Sequence, residues 1–298
     1  MIMSSRTIAW FLGSLLVVSW LVQLAALEIT GGVTSDAIVP WLVGIMFIPS
    51  IGSILYLAFF NREGWKAVRF KPGNPLYLVG AALIPAIIAC AVLAVMASQG
   101  WAVSLYFDFS AGVVKVLDGP WLLGGGSQQW AYFAANIAIT AVYFATINSV
   151  FALGEEFGWR GVMQAHLIGR MGFFRGVAFL GFVWAIWHLP LNLAGYNYPD
   201  VPILGALILF PIEHIAISFI IACLTLSARS FWPAVLFHGS INGIAQGMMS
   251  SMTAIDGISP MTAKYIQIGL TVIVAVMCVR LTPARIRNGE NADPVAGL

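Results

Sequence analysis

The feature that most constrains this chain is a series of roughly eight apolar stretches, each about as long as the ~20 residues that an α-helix needs to cross a bilayer. Of the 298 residues, 60% are hydrophobic and only 9% are charged. A soluble domain of average composition carries about 25% charged residues, so a soluble fold is excluded. We therefore predict an all-α, polytopic bundle of transmembrane helices. The predicted spans are 7–27, 37–60, 76–97, 129–153 with a continuation, 174–194, 202–226, 231–250 and 264–282.

These spans predict a single transmembrane domain over residues 1–282, with its polar core at about 129–250, followed by a short polar tail at 283–298. The longest connector, 98–129, is rich in glycine and aromatic residues. It is either an external loop on the membrane interface or a flap half-inserted over the core. A net charge of only +2 argues against nucleic-acid binding, which requires a strongly basic surface. The three cysteines share no motif spacing, which argues against a disulfide framework or a cysteine-bound metal.

The connectors between the predicted spans carry lysine and arginine unequally. One set contains most of these residues, and the alternate set contains mainly acidic residues. Because cytoplasmic loops carry the excess of lysine and arginine, we predict that both termini are cytoplasmic, as an even number of spans requires. The expected location is the plasma membrane. The basic set comprises Arg62, Lys66, Arg69, Lys71, Arg160, Arg170, Arg175, Arg229, Arg280, Arg285 and Arg287.

Ionisable and polar side chains interrupt three of the apolar segments. A charged side chain in a bilayer costs about 2.5–3.5 kcal/mol on insertion scales, so such residues are candidates for a functional site. Three of them fall within six consecutive positions of an otherwise apolar chain. The candidate site residues are Glu155, Glu156, Arg160, His188, His238 and Asn242.

The depth of these residues in the membrane tests whether they can meet. If the fourth helix continues past Arg160 to about His166, then Glu155, His188 and His238 all lie about 13–20 Å from the cytoplasmic helix ends. A helix that stopped at Ala152 would leave Glu155 at the surface. The prediction of one buried site therefore requires a long or broken fourth helix.

Helical spacing assigns the faces of these side chains. Glu156 and Arg160 are four residues apart with the acid first, which is the favourable order for an ion pair. Glu155 points about 100° away from Glu156, so it is predicted to face the interior of the bundle without an ionic partner. His238 and Asn242 are also four residues apart and share a face.

Other polar and aromatic residues allow more than one interpretation. His166 and His214 are typical of histidines that only pack within a span. Glu213 and His214 form either a buried hydrogen-bonded pair or a second polar shell around the site. Trp184 and Trp187 are predicted to contribute packing rather than chemistry.

Three motifs together resemble the CPBP family of intramembrane endopeptidases, also called ABI, which includes type II CAAX prenyl proteases and bacteriocin-immunity proteins. The motifs are Glu-Glu-x-x-x-Arg at 155–160, an aromatic residue four positions before a histidine at 184–188, and His-x-x-x-Asn at 238–242. The resemblance covers about 129–250. The family usually has phenylalanine where this chain has Trp184, and the larger ring is expected to narrow the pocket.

The resemblance implies a role for each candidate. Glu155 would be the general base that activates a water molecule, and Glu156 would brace it together with Arg160. His188 would hold the water or a metal, while His238 and Asn242 would stabilise the oxyanion. For the metal, the resemblance leaves two alternatives open. Glu155, His188 and His238 could form a three-ligand zinc site with one open position, or glutamate could act without a metal.

The function implied by the resemblance is that of a hydrolase, an intramembrane protease of the metalloendopeptidase type, acting on a membrane-associated peptide or protein within the lipid bilayer. CAAX-type processing and bacteriocin-immunity peptide processing are both open. The alternative is a non-enzymatic membrane protein, such as a proton-coupled transporter or a membrane chaperone or scaffold that retains the pocket. A transporter would favour interrupted spans in corresponding positions of two halves, and the sequence has no such symmetry.

Overall fold

The computed structural model describes residues 2–109 and 112–287 of the chain. The predicted tail therefore falls largely outside the described residues. The long helices are α1 (Ser5–Thr30), α2 (Val39–Met46), α3 (Ile48–Phe59), α4 (Pro75–Ser98), α5 (Trp130–Glu156), α6 (Gln164–Trp187), α9 (Phe210–Ala228), α10 (Trp232–Ser240) and α12 (Thr262–Leu281). The short helices are α7 (Leu189–Leu193), α8 (Pro202–Leu204), α11 (Gln246–Ser250) and α13 (Ala284–Arg287). The 3₁₀ turns are Asp36–Ile38 and Arg62–Ala67, and the π-helical segments are Phe157–Met163, Gly205–Leu209 and Ile241–Ala245.

Within the described residues, six helical segments are long and apolar enough to cross a membrane. They confirm the prediction of a helical membrane bundle. The sequence predicted about eight spans, and the difference has two causes. Two predicted spans fall within the one segment Trp130–Trp187, and the predicted span 231–250 is not among the six. The six segments are Ser5–Thr30, Asp36–Phe59, Pro75–Ser98, Trp130–Trp187, Pro202–Ala228 and Thr262–Leu281.

The helical segment Trp130–Trp187 contains two predicted spans. It is 58 residues long, but its backbone leaves the helical region at Gly172, where φ is 75° and ψ is 169°. A Cβ atom at Gly176 would lie 2.8 Å from the backbone of Leu167, although residues nine positions apart in a straight helix are separated by about 13 Å. The chain therefore folds back on itself at Gly172, and this segment accounts for the fourth and fifth predicted spans.

Residues 232–250, predicted as a span, are helical throughout but are not among the six apolar segments. The segment consists of α10, a π-helical segment and α11, and α10 packs against α4, α5 and α9. Its polar residues, including His238, Asn242 and Gln246, lower its apolar character. It is a helix of the bundle in which His238 is buried, Asn242 is half-buried and Gln246 is exposed.

Close packing of α5 against α2 and α3 holds the end of α5 in place. A Cβ atom at Gly154 would lie 2.8 Å from the carbonyl oxygen of Met46, and one at Gly158 would lie 2.6 Å from the backbone of Pro49. Only glycine permits this approach. The helix continues as a π-helical segment from Phe157, so the required continuation of the fourth helix past Arg160 is confirmed.

The connector 98–129 is not an irregular loop, because it forms short strands that the sequence did not predict. The strand β2 (Phe107–Asp108) pairs with β3 (Val114–Val116), which pairs with β4 (Gly126–Gln128), all antiparallel. The strand β1 (Ala102–Ser104) pairs with β5 (Met252–Ala254), with Val103 opposite Thr253. Phe107 and Trp121 are buried against α5. The connector therefore packs on one end of the bundle.

Candidate functional site

Helix interruptions lie next to the predicted site residues. Glu155 and Glu156 are the last residues of α5, directly before its π-helical continuation. His238 lies near the end of α10, and Asn242 lies in the next π-helical segment. His188 ends α6. A π-helical turn contains an extra residue and changes the direction of the side chains after it, and such turns are frequent at functional sites.

A cavity of about 1060 Å³ lies inside the bundle and brings the three motifs together. Its walls are mostly apolar. Glu156 and Arg160 are not among its lining residues. The predicted meeting of the three segments is thus confirmed as a matter of geometry. The polar residues of the cavity nearest the motifs are Glu155, His188, His214, His238, Asn242 and Gln246.

Glu156 joins Arg160 and His238 behind the cavity wall. Its Oε1 accepts a hydrogen bond from Arg160 Nη1 at 3.0 Å and another from His238 Nδ1 at 2.9 Å. The Glu156 and Arg160 side chains are fully buried, and Arg160 Nη2 also donates to Ser218 Oγ at 2.9 Å. The predicted ion pair is confirmed. It connects α5, α9 and α10, so it orients His238 as well as balancing charge.

Glu155 faces the cavity, as predicted, and has one specific hydrogen-bond donor. Trp184 Nε1 donates to Glu155 Oε2 at 2.7 Å. The face of the same indole lies 4.2 Å from the Arg160 guanidinium carbon. Trp184 is therefore more than a packing residue, since it fixes one carboxylate oxygen of Glu155 and covers Arg160. A phenylalanine at this position would keep the ring contact but lose the donor.

Two histidines in the cavity have a defined tautomer. His188 Nδ1 lies 2.9 Å from the Trp184 carbonyl oxygen, and His214 Nδ1 lies 3.1 Å from that of Phe210. A carbonyl oxygen only accepts hydrogen bonds, so both Nδ1 atoms carry the proton. In the neutral rings Nε2 is then an acceptor. His214 is a site residue that the sequence assigned no role; its ring centre is 4.4 Å from that of Trp184.

Glu213 and His214 do not bond to each other, although they are adjacent in sequence. Tyr198 Oη donates to Glu213 Oε2 at 2.9 Å, and Gln267 Nε2 donates to Glu213 Oε1 at 2.8 Å. Both Glu213 and His214 line the cavity. Of the two alternatives left open by the sequence, the structure favours a polar shell.

The donor set was tested for its fit to a metal ion. Each of His188 and His214 presents Nε2 while Nδ1 is held by a carbonyl, which is the usual arrangement of a metal-binding histidine. However, no group of three or more His, Cys, Asp or Glu side chains in residues 2–109 and 112–287 is placed so that it could hold a metal. Glu155, His188 and His238 do not converge as ligands in this arrangement.

Comparison with known proteins supports the resemblance predicted from the motifs. Residues 136–244 match the model of a family described as type II CAAX prenyl endopeptidase, Rce1-like. All six predicted site residues lie inside this segment. A search of curated proteins gives no match to the chain. The family match supports, in general terms, a membrane-embedded endopeptidase of the CAAX type that works in a lipid bilayer on peptide substrates.

Glu156→Gln is predicted to destabilise the protein, whereas Glu155→Gln is not. The first change leaves the Arg160 charge buried without its partner, which costs about 3–5 kcal/mol in a dry site. The second keeps an amide oxygen that can still accept from Trp184. Thermal unfolding of the two variants in detergent compares adjacent, isosteric changes. Equal melting temperatures would contradict the bracing role of Glu156.

Proposed function

We propose that the chain hydrolyses a peptide bond inside the membrane, using a water molecule activated by Glu155. The observation that carries this proposal is a buried carboxylate that faces a large cavity beside His188, His214 and His238. The carboxylate is held by a single indole N–H at Oε2, so Oε1 is available to a water molecule in the cavity. A general base must be within hydrogen-bond reach of the proton that it removes, and Glu155 meets this condition for cavity water.

The proposed reaction moves one proton through Glu155. As the water oxygen attacks the carbonyl carbon of the substrate, Glu155 takes a proton from it and the carbonyl oxygen becomes negative. Glu155 then gives this proton to the leaving amide nitrogen, and the C–N bond breaks. The products are a carboxylic acid and an amine. His188, whose Nε2 is an acceptor, is placed to orient the second hydrogen of the water.

His238 and Asn242 are assigned to the oxyanion. The Nδ1 of His238 donates to Glu156, whose carboxylate stabilises the imidazolium form of the ring. In that form Nε2–H is a donor on the cavity side, and the Asn242 amide supplies a second donor one turn further along the helix. Donors held in place before the reaction stabilise the developing charge, and each is worth about 10²–10³ in turnover.

Glu155→Gln is predicted to abolish proteolysis while leaving the fold intact. The amide keeps the shape and the hydrogen bond from Trp184 but cannot take a proton, so turnover should fall by about 10²–10⁴. The measurement is cleavage of a peptide library by purified protein in detergent, read by mass spectrometry. Full activity of this variant would remove Glu155 as the base. Absence of cleavage by the unmodified protein would instead favour the alternative of a pocket retained for a non-enzymatic role.

Trp184→Phe is predicted to lower kcat by about tenfold with little change in KM. The change removes the donor to Glu155 together with part of the buried ring area, and a hydrogen bond to a charged group contributes about 1.5–3 kcal/mol. Trp187→Phe is the matched control, because Trp187 is equally buried but donates to Ser19 Oγ at 2.7 Å instead. An equal loss in both variants would indicate packing alone.

Zinc assistance stays a prediction from the sequence, and it is tested separately. We expect turnover to survive thorough chelation, since the described His and Glu side chains do not converge on one point. Metal analysis of the purified protein is the second readout. Loss of activity on chelation, its return with added zinc, and stoichiometric zinc that His188→Ala removes would contradict this expectation.

A further inference from the structure

The basic residues of the chain gather at one end of the bundle, here called the basic face. Contacts between distant segments define it. Arg170 Nε donates to the Met3 carbonyl oxygen at 2.9 Å, and Trp232 Nε1 donates to that of Phe70 at 2.7 Å. The Arg287 guanidinium lies 5.6 Å from the Phe174 ring centre. The N-terminus, the 60–74 connector, the turn at Gly172 and the end of α12 therefore share this face.

The opposite face has a different charge. Of the 14 lysines and arginines, only Lys115 and Lys264 lie toward it, and Arg160 lies inside the bundle. This face is built from the connectors 31–38, 98–129, 194–201 and 251–261. Their other charged residues are acidic, including Asp108, Asp118, Asp200 and Asp256. Cytoplasmic connectors carry the excess of lysine and arginine, which assigns the basic face to the cytoplasm and the opposite face to the exterior.

The cavity extends from the site toward the opposite face. Each of α4, α9 and α12 contributes residues only from its middle and from the end distant from the basic face. In α9, for example, lining residues run from Phe210 to Ile217 and none lies nearer to Arg229. The outer lining comes from exposed connector residues, such as Asp200 and Asp256. The wall toward the basic face is closed around the buried Glu156–Arg160 pair.

From these observations we propose that the active-site cavity opens at the extracytoplasmic surface and takes an extended peptide segment presented on that side. This proposal rests on the hydrolase function proposed above and names its substrate class. It differs from what the matched family's description suggests, because a CAAX motif is the prenylated C-terminus of a protein. A peptide secreted by the cell, or the outer end of a membrane-anchored peptide, would instead reach Glu155 directly.

A strand edge at the mouth of the cavity fits an extended peptide. In the β1–β5 pair, Leu105 N donates to the Ser251 carbonyl oxygen and Ile255 N donates to that of Trp101. Alternate residues of an antiparallel strand point their backbone groups to opposite sides. The N–H and C=O groups of Met252 and Ala254 therefore face away from β1, and both residues line the cavity. An extended peptide can add to such an edge by main-chain hydrogen bonds.

Cysteine labelling tests the side on which the cavity opens. Thr253→Cys lies at the mouth, and Lys66→Cys, in an exposed part of the basic face, is its control; both are made with Cys90, Cys223 and Cys278 changed to alanine. In spheroplasts of a bacterial host, a membrane-impermeant maleimide should label Thr253→Cys and should reach Lys66→Cys only after permeabilisation. The reverse pattern overturns the proposal. If the variant without native cysteines does not fold, Thr253→Cys and Lys66→Cys are made in the native chain. The labelling of the native chain alone is then subtracted as background.

Vesicle orientation tests the substrate class. The probe is a quenched-fluorescence library of extended peptides with charged ends, added to right-side-out or inside-out vesicles. We expect cleavage by the right-side-out vesicles alone, and by both preparations after detergent is added. Cleavage by intact inside-out vesicles alone overturns the proposal. Absence of cleavage in detergent would instead overturn the hydrolase function, while the labelling result would still decide the side of the opening.

A separate control tests whether the substrate peptide pairs with the edge of β5. A cleaved library peptide is remade with N-methyl groups at alternate residues that flank the cleaved bond, because these groups prevent pairing with a strand edge. At least a tenfold lower kcat/KM for the methylated peptide is expected. Equal cleavage of the two peptides overturns pairing with β5.

Discussion

The carboxylate of Glu156 is the interaction on which the arrangement of the site depends. One oxygen accepts from both Arg160 and His238, and Arg160 continues the chain of contacts to Ser218. Three helices are thereby tied together at a point from which water is excluded. Burial of such ions is costly, and the cost is offset only when each charge has a partner in good geometry. The neighbouring Glu155 is left free of this role because it points in another direction.

The two adjacent glutamates have different roles. Glu156 contributes to stability, whereas Glu155 is the proposed general base. The pair behind the wall is dry and fully buried, whereas Glu155 faces a space large enough for water and for a peptide. Trp184 stands between them: its ring face lies on Arg160 and its N–H holds Glu155. One aromatic side chain thus connects the buried charge pair to the carboxylate that is proposed as the general base.

Part of the site could be predicted from the sequence because its determinants are local. The spacing of Glu156 and Arg160 specifies an ion pair on one helix face, and the depth of His188 and His238 specifies a common layer. The fold class follows from the length of the apolar segments.

The role of Trp184 could not be derived from the sequence, since an indole in an apolar run is typical of packing. His214 was ambiguous because its partner depends on which way Glu213 points. The π-helical segments have no sequence signature, and the strand β1 arises from pairing with β5, about 150 positions away.

The turn at Gly172 has a consequence for the membrane itself. From Trp130 to this turn the helix rises through about 63 Å, roughly twice the ~30 Å thickness of a hydrocarbon core. The depth of Glu155 is therefore fixed by the contacts of Gly154 and Gly158 with α2 and α3 rather than by a match between helix length and lipid. A thinner or thicker bilayer would move the helix ends through the headgroups while the site groups kept their mutual distances. The proposed hydrolysis is then expected to depend on the protein's internal packing and to tolerate changes in the acyl-chain length of the surrounding lipids.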